Sequence, residues 1–332
     1  NYNTIKDSRE RAHEENMWGK PANDIINGIG NIRTVNPSRG IWELVQNARD
    51  VVRKGERAKI CFTRNEDSFV FQHDGMPFTW KTLEALMLQT SSKSDTDAAQ
   101  VGQYGTGFLT THKFGLKFYL SAPLKLSDDE DVYYNIQNFL IDRSATDKDQ
   151  MRAAIRRQWD ETSNWVNTNE KSETPTRHTI FKYICEHEVE KNNVKVAFDL
   201  SPRLVPYVLL LNDNIESITF KDNVIAGNES SFERKDSDWL LERKLDNGCV
   251  YSTVINASTY FIIKSSEKSK KDNNSSRIIV ILPIVRENDK LRAVNIGKDI
   301  PQLYINLPLL GTSDWGLDFM FHSPDFTCDS DK

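Results

Sequence analysis

Val101–Phe108 reads VGQYGTGF, with Gly102, Gly105 and Gly107 spaced G-x-x-G-x-G. Each glycine inside a regular helix or strand costs about 0.5–1 kcal/mol relative to alanine, so so dense a cluster excludes an ordinary element. Such a stretch either turns tightly through positive φ or lets its backbone approach another group closely. Leu109–Lys117 (LTTHKFGLK) follows with helical character. A glycine-rich loop that opens a helix presents unpaired N–H groups and a positive dipole end to an anion. Taken alone, the spacing fits a phosphate-binding loop and a structural turn equally well.

Three upstream segments bear on that choice. Asn36-Pro37-Ser38-Arg39-Gly40 is a turn cluster, and the residues after it, through Val52, carry helical spacing at Ile41, Leu44, Val45, Ala48, Val51 and Val52. Glu43, Asn47 and Asp50 then fall on a narrow stripe of the opposite half. By spacing alone such a stripe reads as a solvated face, a reading that the order of the four motifs below overturns. Lys59–Thr63 and Ser68–Gln72 read as paired strands joined by Arg64–Asp67, and the second ends at His73-Asp74-Gly75-Met76-Pro77-Phe78. Thr79–Leu88 reads as a helix capped by Thr79, and Thr90–Gln100 (TSSKSDTDAAQ) is small and polar.

Elsewhere, the polar residues 1–36 hold a short helix near Ser8–Met17. Strands are expected at Lys117–Ser121, Tyr133–Phe139, Thr179–Cys185 and Asn193–Phe198, and helices at Asp147–Trp165 and Ser201–Leu211, the last with Ser201 as cap and Pro202 at its first position. Further strands follow at Ile215–Phe220, Val250–Ile255, Thr259–Lys264, Arg277–Val285 and Gln302–Leu307, with Ser265–Ser276 as a solvated hairpin tip. A domain boundary is placed near 195–200.

Composition narrows the class. With 43 basic and 48 acidic residues the net charge is −5, so no basic field marks a nucleic-acid surface. The longest nearly unbroken apolar run, Ile278–Val285, is far below the ~20 residues a membrane helix requires. No charged-then-apolar leader opens the chain. Cys61, Cys185, Cys249 and Cys328 lack C-x-x-C spacing and suit reduced cytoplasmic thiols.

The E-x-x-x-N-x-x-D stripe of GIWELVQNARD, the strand ending D-G-x-P-F, the T-S-S-K segment and VGQYGTGF occur in one order. In that order and spacing, roughly residues 20–190 resemble the GHKL ATPases (DNA gyrase, ninety-kilodalton heat-shock chaperones, histidine kinases and MutL). The glycine motif is nearest the chaperone form. The H-D-G-x-P-F variant resembles sacsin-like and bacterial chaperone-related ATPases. The resemblance implies an α+β chain. Residues 1–195 would form a Bergerat-fold ATP-binding domain, a mixed sheet covered by helices, and residues 196–332 a second, smaller α/β domain resembling the start of a chaperone middle domain. Pro301–Pro308 and Phe319–Phe326 carry the looser likeness of that second part, and the chain reads as the N-terminal part of a larger protein.

The resemblance also implies ATP and Mg²⁺. Glu43 would orient and deprotonate the water attacking the γ-phosphate. Asn47 would offer an oxygen to Mg²⁺, with Asp50 supporting the pocket. Gly102, Gln103, Tyr104, Gly105, Thr106, Gly107 and Phe108 would border the phosphates. Ser91, Ser92 and Lys93 would lie on an ATP lid, and Thr179 would help hold the base-binding group. One motif departs from the family: where D-x-G-x-G places an Asp on the adenine amino group, this chain has His73, then Asp74, Gly75 and Met76, with Pro77 replacing the second glycine. Asp74 is the preferred contact because a carboxylate is an unambiguous acceptor; His73 is the alternative. The expected function is an ATP-driven conformational clamp; the alternative is a nucleotide-gated interaction module with little or no hydrolysis, in a bacterial defence or nucleic-acid-handling system. Its partners would be a protein client or further domains, and a second copy in an ATP-dependent homodimer. Nucleic acid is disfavoured for this part of the chain, and no membrane partner is expected.

Overall fold

The computed structural model describes residues 2–89, 107–127, 131–167, 171–271, 275–287 and 290–326. It is an α+β fold with mixed sheets, and divides into two units. Asn1–Asp199 groups with Phe220–Glu229, and Leu200–Thr219 groups with Ser230–Lys332.

The first unit opens with α1 (Tyr2–Glu14), a π turn at Glu15–Gly19 and α2 (Lys20–Asn31), more helix than the short segment expected there. Ala22 and Ile25 of α2 pack with Trp18 against Met151 and Ile155, a cluster bordered by Trp159. Then come α3 (Ser38–Asp50), β1 (Ala58–Arg64) and β2 (Ser68–His73). The α3 start is set by Asn36, whose Oδ1 accepts from Ser38 N–H at 2.9 Å. After β2, α4 (Trp80–Leu88) starts on a capping box between Thr79 and Thr82.

Leu109–Lys117 is not an α-helix. Phe108–Phe114 forms a 3₁₀ helix, held by Thr110 and Thr111, whose hydroxyls donate back to the carbonyls of Gly107 and Phe108, each at 2.8 Å. Such side-chain bonds three residues back favour the tighter spiral. Lys117 opens β3 (Lys117–Lys125). The unit continues with β4 (Tyr133–Asp142), α5 (Lys148–Asn167), β5 (Lys171–Ser172) and β6 (Thr179–Ile184).

These strands lie in the order β5-β4-β3-β6-β2-β1, each neighbouring pair antiparallel. Alternate residues of β2 are buried (Phe69, Phe71, His73) while those between are half-buried, the pattern of a sheet covered on one face. That face carries an aromatic core of Phe62, Phe69, Phe71, Phe118, Phe181 and Tyr183 with Phe114 of the 3₁₀ helix. Each such ring contributes about 1.5–3 kcal/mol by leaving water, and each well-set ring pair about 1 kcal/mol more. Arg143, 1% exposed, reaches from the end of β4 to the last turn of α4, donating to Met87 O at 2.6 Å and Leu86 O at 3.3 Å. It therefore satisfies carbonyls that a helix end leaves open.

One expectation fails outright. Asn193–Phe198 is not a strand, and Ser201 caps nothing: both lie inside α6 (Glu188–Leu211), with Pro202 and Pro206 in its interior. Val194, Val196 and Phe198 alternate as strand residues do, yet Val196 is exposed while Val194, Ala197 and Phe198 are buried at helical spacing. An interior proline costs about 3 kcal/mol; burial of Leu204, Val205, Val208, Leu209 and Leu210 offsets it.

The remaining strands are β7 (Ile215–Asp222), β8 (Asn228–Glu233), β9 (Leu240–Leu245), β10 (Gly248–Ile255), β11 (Ser258–Ser265), β12 (Ile279–Glu287), β13 (Lys290–Ala293), β14 (Leu303–Ile305), β15 (Leu307–Pro308) and β16 (Met320–His322). In the second unit β9–β16 form a sheet ordered β15-β14-β16-β12-β11-β10-β9, with β13 on β12. The β14–β16 pair is parallel, and Tyr207 packs against Tyr260 and Tyr304. No helix among the described residues is long and apolar enough to cross a membrane.

Candidate functional site

The α3 stripe is not a solvated face. Asn47 is 5% exposed, and the side chains of Glu43 and Asp50 are 14% and 7% exposed. With Trp42 and Ser38 also buried, α3 is enclosed on nearly every side. The Asn47 amide has neither its oxygen nor its nitrogen hydrogen-bonded among the described residues. An unmade hydrogen bond at a buried polar atom costs about 1–3 kcal/mol, so such a group calls for a ligand or water.

One turn earlier, Glu43 is pushed above its ordinary pKa. Burial is the main cause and Asp50's charge adds to it, while the Arg39 guanidinium opposes both. Arg39 Nε lies 3.6 Å from Glu43 Oε1. Asp50 is held by its neighbour Arg49, which donates to Oδ1 through Nε at 3.3 Å and Nη2 at 3.1 Å.

Two glycines sit against these groups. A β-carbon on Gly107 would overlap the Glu43 carboxylate, so the last glycine of the loop motif and the first residue of the stripe are in contact. At the other end of α3, a β-carbon on Gly75 would lie 2.6 Å from Val51 Cγ2 and 3.1 Å from Val51 O. There Met76 N–H donates to Val51 O at 2.8 Å. At Gly75 the approach of Val51, backbone included, leaves no room for a side chain, whereas at Gly107 the obstacle is the movable end of the Glu43 side chain. Phe108 is buried in the aromatic core beside Phe118 and Phe181.

His73 and Asp74 part company. His73 is 4% exposed on the helix-covered face, its ring 5.4 Å from that of Phe71. Its Nδ1 accepts from Gly75 N–H at 3.1 Å. Burial, with a smaller effect of His178, lowers its pKa to about 4. Asp74 turns instead to β1, where Oδ1 accepts from Lys59 N–H at 2.7 Å. Thr179 is the cross-strand partner of His73, and its buried hydroxyl has no hydrogen-bond partner among the described residues.

Glu43, Asn47, Asp50, Gly75, Met76 and Gly107 are thus gathered around α3, with His73 and Thr179 paired on the adjoining strands. Ser91, Ser92, Lys93, Gly102, Gln103, Tyr104, Gly105 and Thr106 lie outside the described residues. The sequence reading missed Arg39, although its i, i+4 spacing to Glu43 was legible. A shallow groove along α5, lined by Arg156, Arg157, Asp160 and Glu161, carries none of these groups. No group of three or more His, Cys, Asp or Glu among the described residues is placed to hold a metal ion by itself. No protein-family model matches the chain, and no curated protein matches it.

Proposed function

We propose that the first unit binds ATP with Mg²⁺ and hydrolyses it, Glu43 acting as general base. The observation that carries this reading is the Asn47 amide, buried and unpartnered one helical turn from a carboxylate whose pKa is raised. An amide oxygen with no protein donor fits a hard divalent cation, which takes its remaining ligands from phosphate and water. Mg²⁺, when bound, would neutralise phosphate charge. The raised pKa suits Glu43 to take a proton from water, and Arg39 and Gly107 confine its carboxylate. Gly75 and Gly107 supply close backbone approach, and His73 with Thr179 offers polar atoms to a base. In this reading nucleotide turnover drives rearrangement of neighbouring domains or a second copy, in the manner of a chaperone clamp.

A second reading, a nucleotide-gated module with scarcely any turnover, draws support from the Arg39–Glu43 ion pair, which opposes proton uptake by the carboxylate. Calorimetric titration with a non-hydrolysable ATP analogue, with and without Mg²⁺, beside a phosphate-release assay separates the two. Mg²⁺-dependent binding with release that disappears in Glu43→Ala supports the ATPase. Binding without release supports the gated module, and absence of binding to folded protein removes both.

A further inference from the structure

β9 forms one edge of the second unit's sheet. Among the described residues it pairs with β10 and with no other strand, and all six of its residues are exposed. Leu240, Leu241 and Leu245 are 60%, 49% and 44% exposed. An unpaired edge presents a row of free N–H and C=O groups, and native edges are ordinarily kept short, charged or covered. Three leucines along one such edge are apolar surface left for a partner to cover.

The charges on β9 narrow the choice of partner. Glu242 is the extra residue of a bulge, since the register steps from Arg243 opposite Val250 to Leu241 opposite Tyr251. Its carboxylate is taken by the Ser252 hydroxyl. Arg243 and Lys244 come next, on opposite faces of the strand. Neither has a hydrogen bond or an ion pair among the described residues. Lys264 lies on the same face as Lys244, because both are cross-strand partners of Cys249. Its ammonium is held 4.7 Å from the Trp239 ring centroid and 5.7 Å from that of Tyr251, with only the more distant charge of Asp213 to oppose it. In a chain of net charge −5, three cations without a bonded counter-ion therefore gather at one edge.

A second copy of the chain does not suit this edge. Antiparallel strands pair residues of the same face, so β9 meeting itself would place the two-fold axis on a residue. On Glu242, Arg243 or Lys244 that axis sets like charges directly opposite each other, which is destabilising. On Leu240 or Leu241 it leaves most of the strand unpaired. The bulge and the basic pair thus guard the edge against its like and leave it open to the opposite charge.

We propose that β9 is a docking edge for an extended acidic–apolar segment of a partner protein, which adds antiparallel as a further strand. Two successive acidic residues of the segment lie opposite Lys244 and Arg243, and apolar residues lie opposite Leu240, Leu241 and Leu245. Main-chain bonds supply the attachment and side-chain pairing supplies the selection. Asp238 and Asp246, just beyond the two ends of the strand, confine the acidic residues to the middle of the segment. Nothing in this inference depends on the nucleotide reading of the first unit.

The test is calorimetric titration of the full chain with two capped hexapeptides, Val-Glu-Glu-Ser-Val-Val and Val-Lys-Lys-Ser-Val-Val, to about 1 mM. Hydrogen exchange read by mass spectrometry locates the binding. The acidic peptide is expected to bind about tenfold tighter than the basic one and to slow exchange across Leu240–Leu245. Arg243→Glu combined with Lys244→Glu, both at exposed positions, reverses that preference; loss of a packing role alone would not move the basic peptide. Equal affinity for the two peptides, protection located away from β9, or no binding of the acidic peptide overturns the proposal. A dimer of the free chain, seen by sedimentation and abolished by the same double substitution, overturns it in favour of a second copy.

Discussion

Gly107 and Glu43 touch: the space that a side chain at 107 would need is filled by the carboxylate at 43. The obstructing atoms are the far end of a flexible side chain, so a methyl group there displaces Glu43 and leaves the backbone in place. Gly107→Ala is expected to change stability by no more than about 1 kcal/mol. On the proposed role of Glu43, it should lower phosphate release about tenfold or more by moving that carboxylate. Urea unfolding and a phosphate-release assay on the same preparation check both halves; equal losses in the two would show a merely structural glycine.

Asn47 makes an unusual stability prediction. Neither amide atom has a partner to lose, and replacing an unsatisfied polar group by an apolar one of the same shape is neutral or stabilising. Asn47→Leu should therefore unfold at the parent's urea concentration or higher, while the Mg²⁺-dependent part of nucleotide binding vanishes. A large loss of stability would mean that the amide is held by a group not yet identified.

The pH dependence has two signs. In the proposed hydrolysis Glu43 must be ionised, and burial raises its pKa while Arg39 lowers it. The acid limb of the hydrolysis profile should thus lie above the ordinary Glu value of about 4.3, and Arg39→Ala should move it further up.

For stability, His73 and His112 are depressed to about 4 and about 3, against about 6.5 in the unfolded chain. The unfolded state takes up protons first as pH falls, so stability is full above about 6.5 and is lost on the way down to 4. Each ring can account for roughly 3 kcal/mol of that loss. Urea midpoints measured from pH 7 to 4.5 should fall steadily, and less steeply in His112→Phe.

Arg143 carries a buried charge whose bonds go to carbonyls and Gln158. Its pKa falls to about 10 through burial, yet it stays charged at neutral pH. Arg143→Leu removes the donors at the end of α4 and should cost about 3 kcal/mol, read as a lower urea midpoint with an unchanged slope.

Much of the first unit was legible because local and tertiary signals agreed. The α3 periodicity, the β1–β2 pair, the Thr79 cap and the strands β3, β4 and β6 all carry their pattern in the chain. The α6 helix did not, because Val196 completes a strand-like alternation while lying exposed, and because two prolines sit where a helix is ordinarily broken. The short strands β13 and β16 have too few residues to show a period, and β9 is exposed along its whole length. In the site, the spacing placed Glu43, Asn47 and Asp50 on one stripe. Spacing carries no information on enclosure, so it left that stripe looking solvated. The preference for Asp74 weighed acceptor chemistry alone, while direction along the strand end turned that carboxylate to Lys59.

The bond between Asp74 and the Lys59 amide also limits how this strand end can change over evolutionary time. Sliding β2 by one residue would bring Asp74 under the helices, but it would carry Phe69 and Phe71 out of the core with it. A lineage that gained or lost a carboxylate facing the helical layer would have had to do so by substitution at position 73. The chemistry of that buried strand end is therefore open to a single codon, and closed to the insertions and deletions that reshape loops.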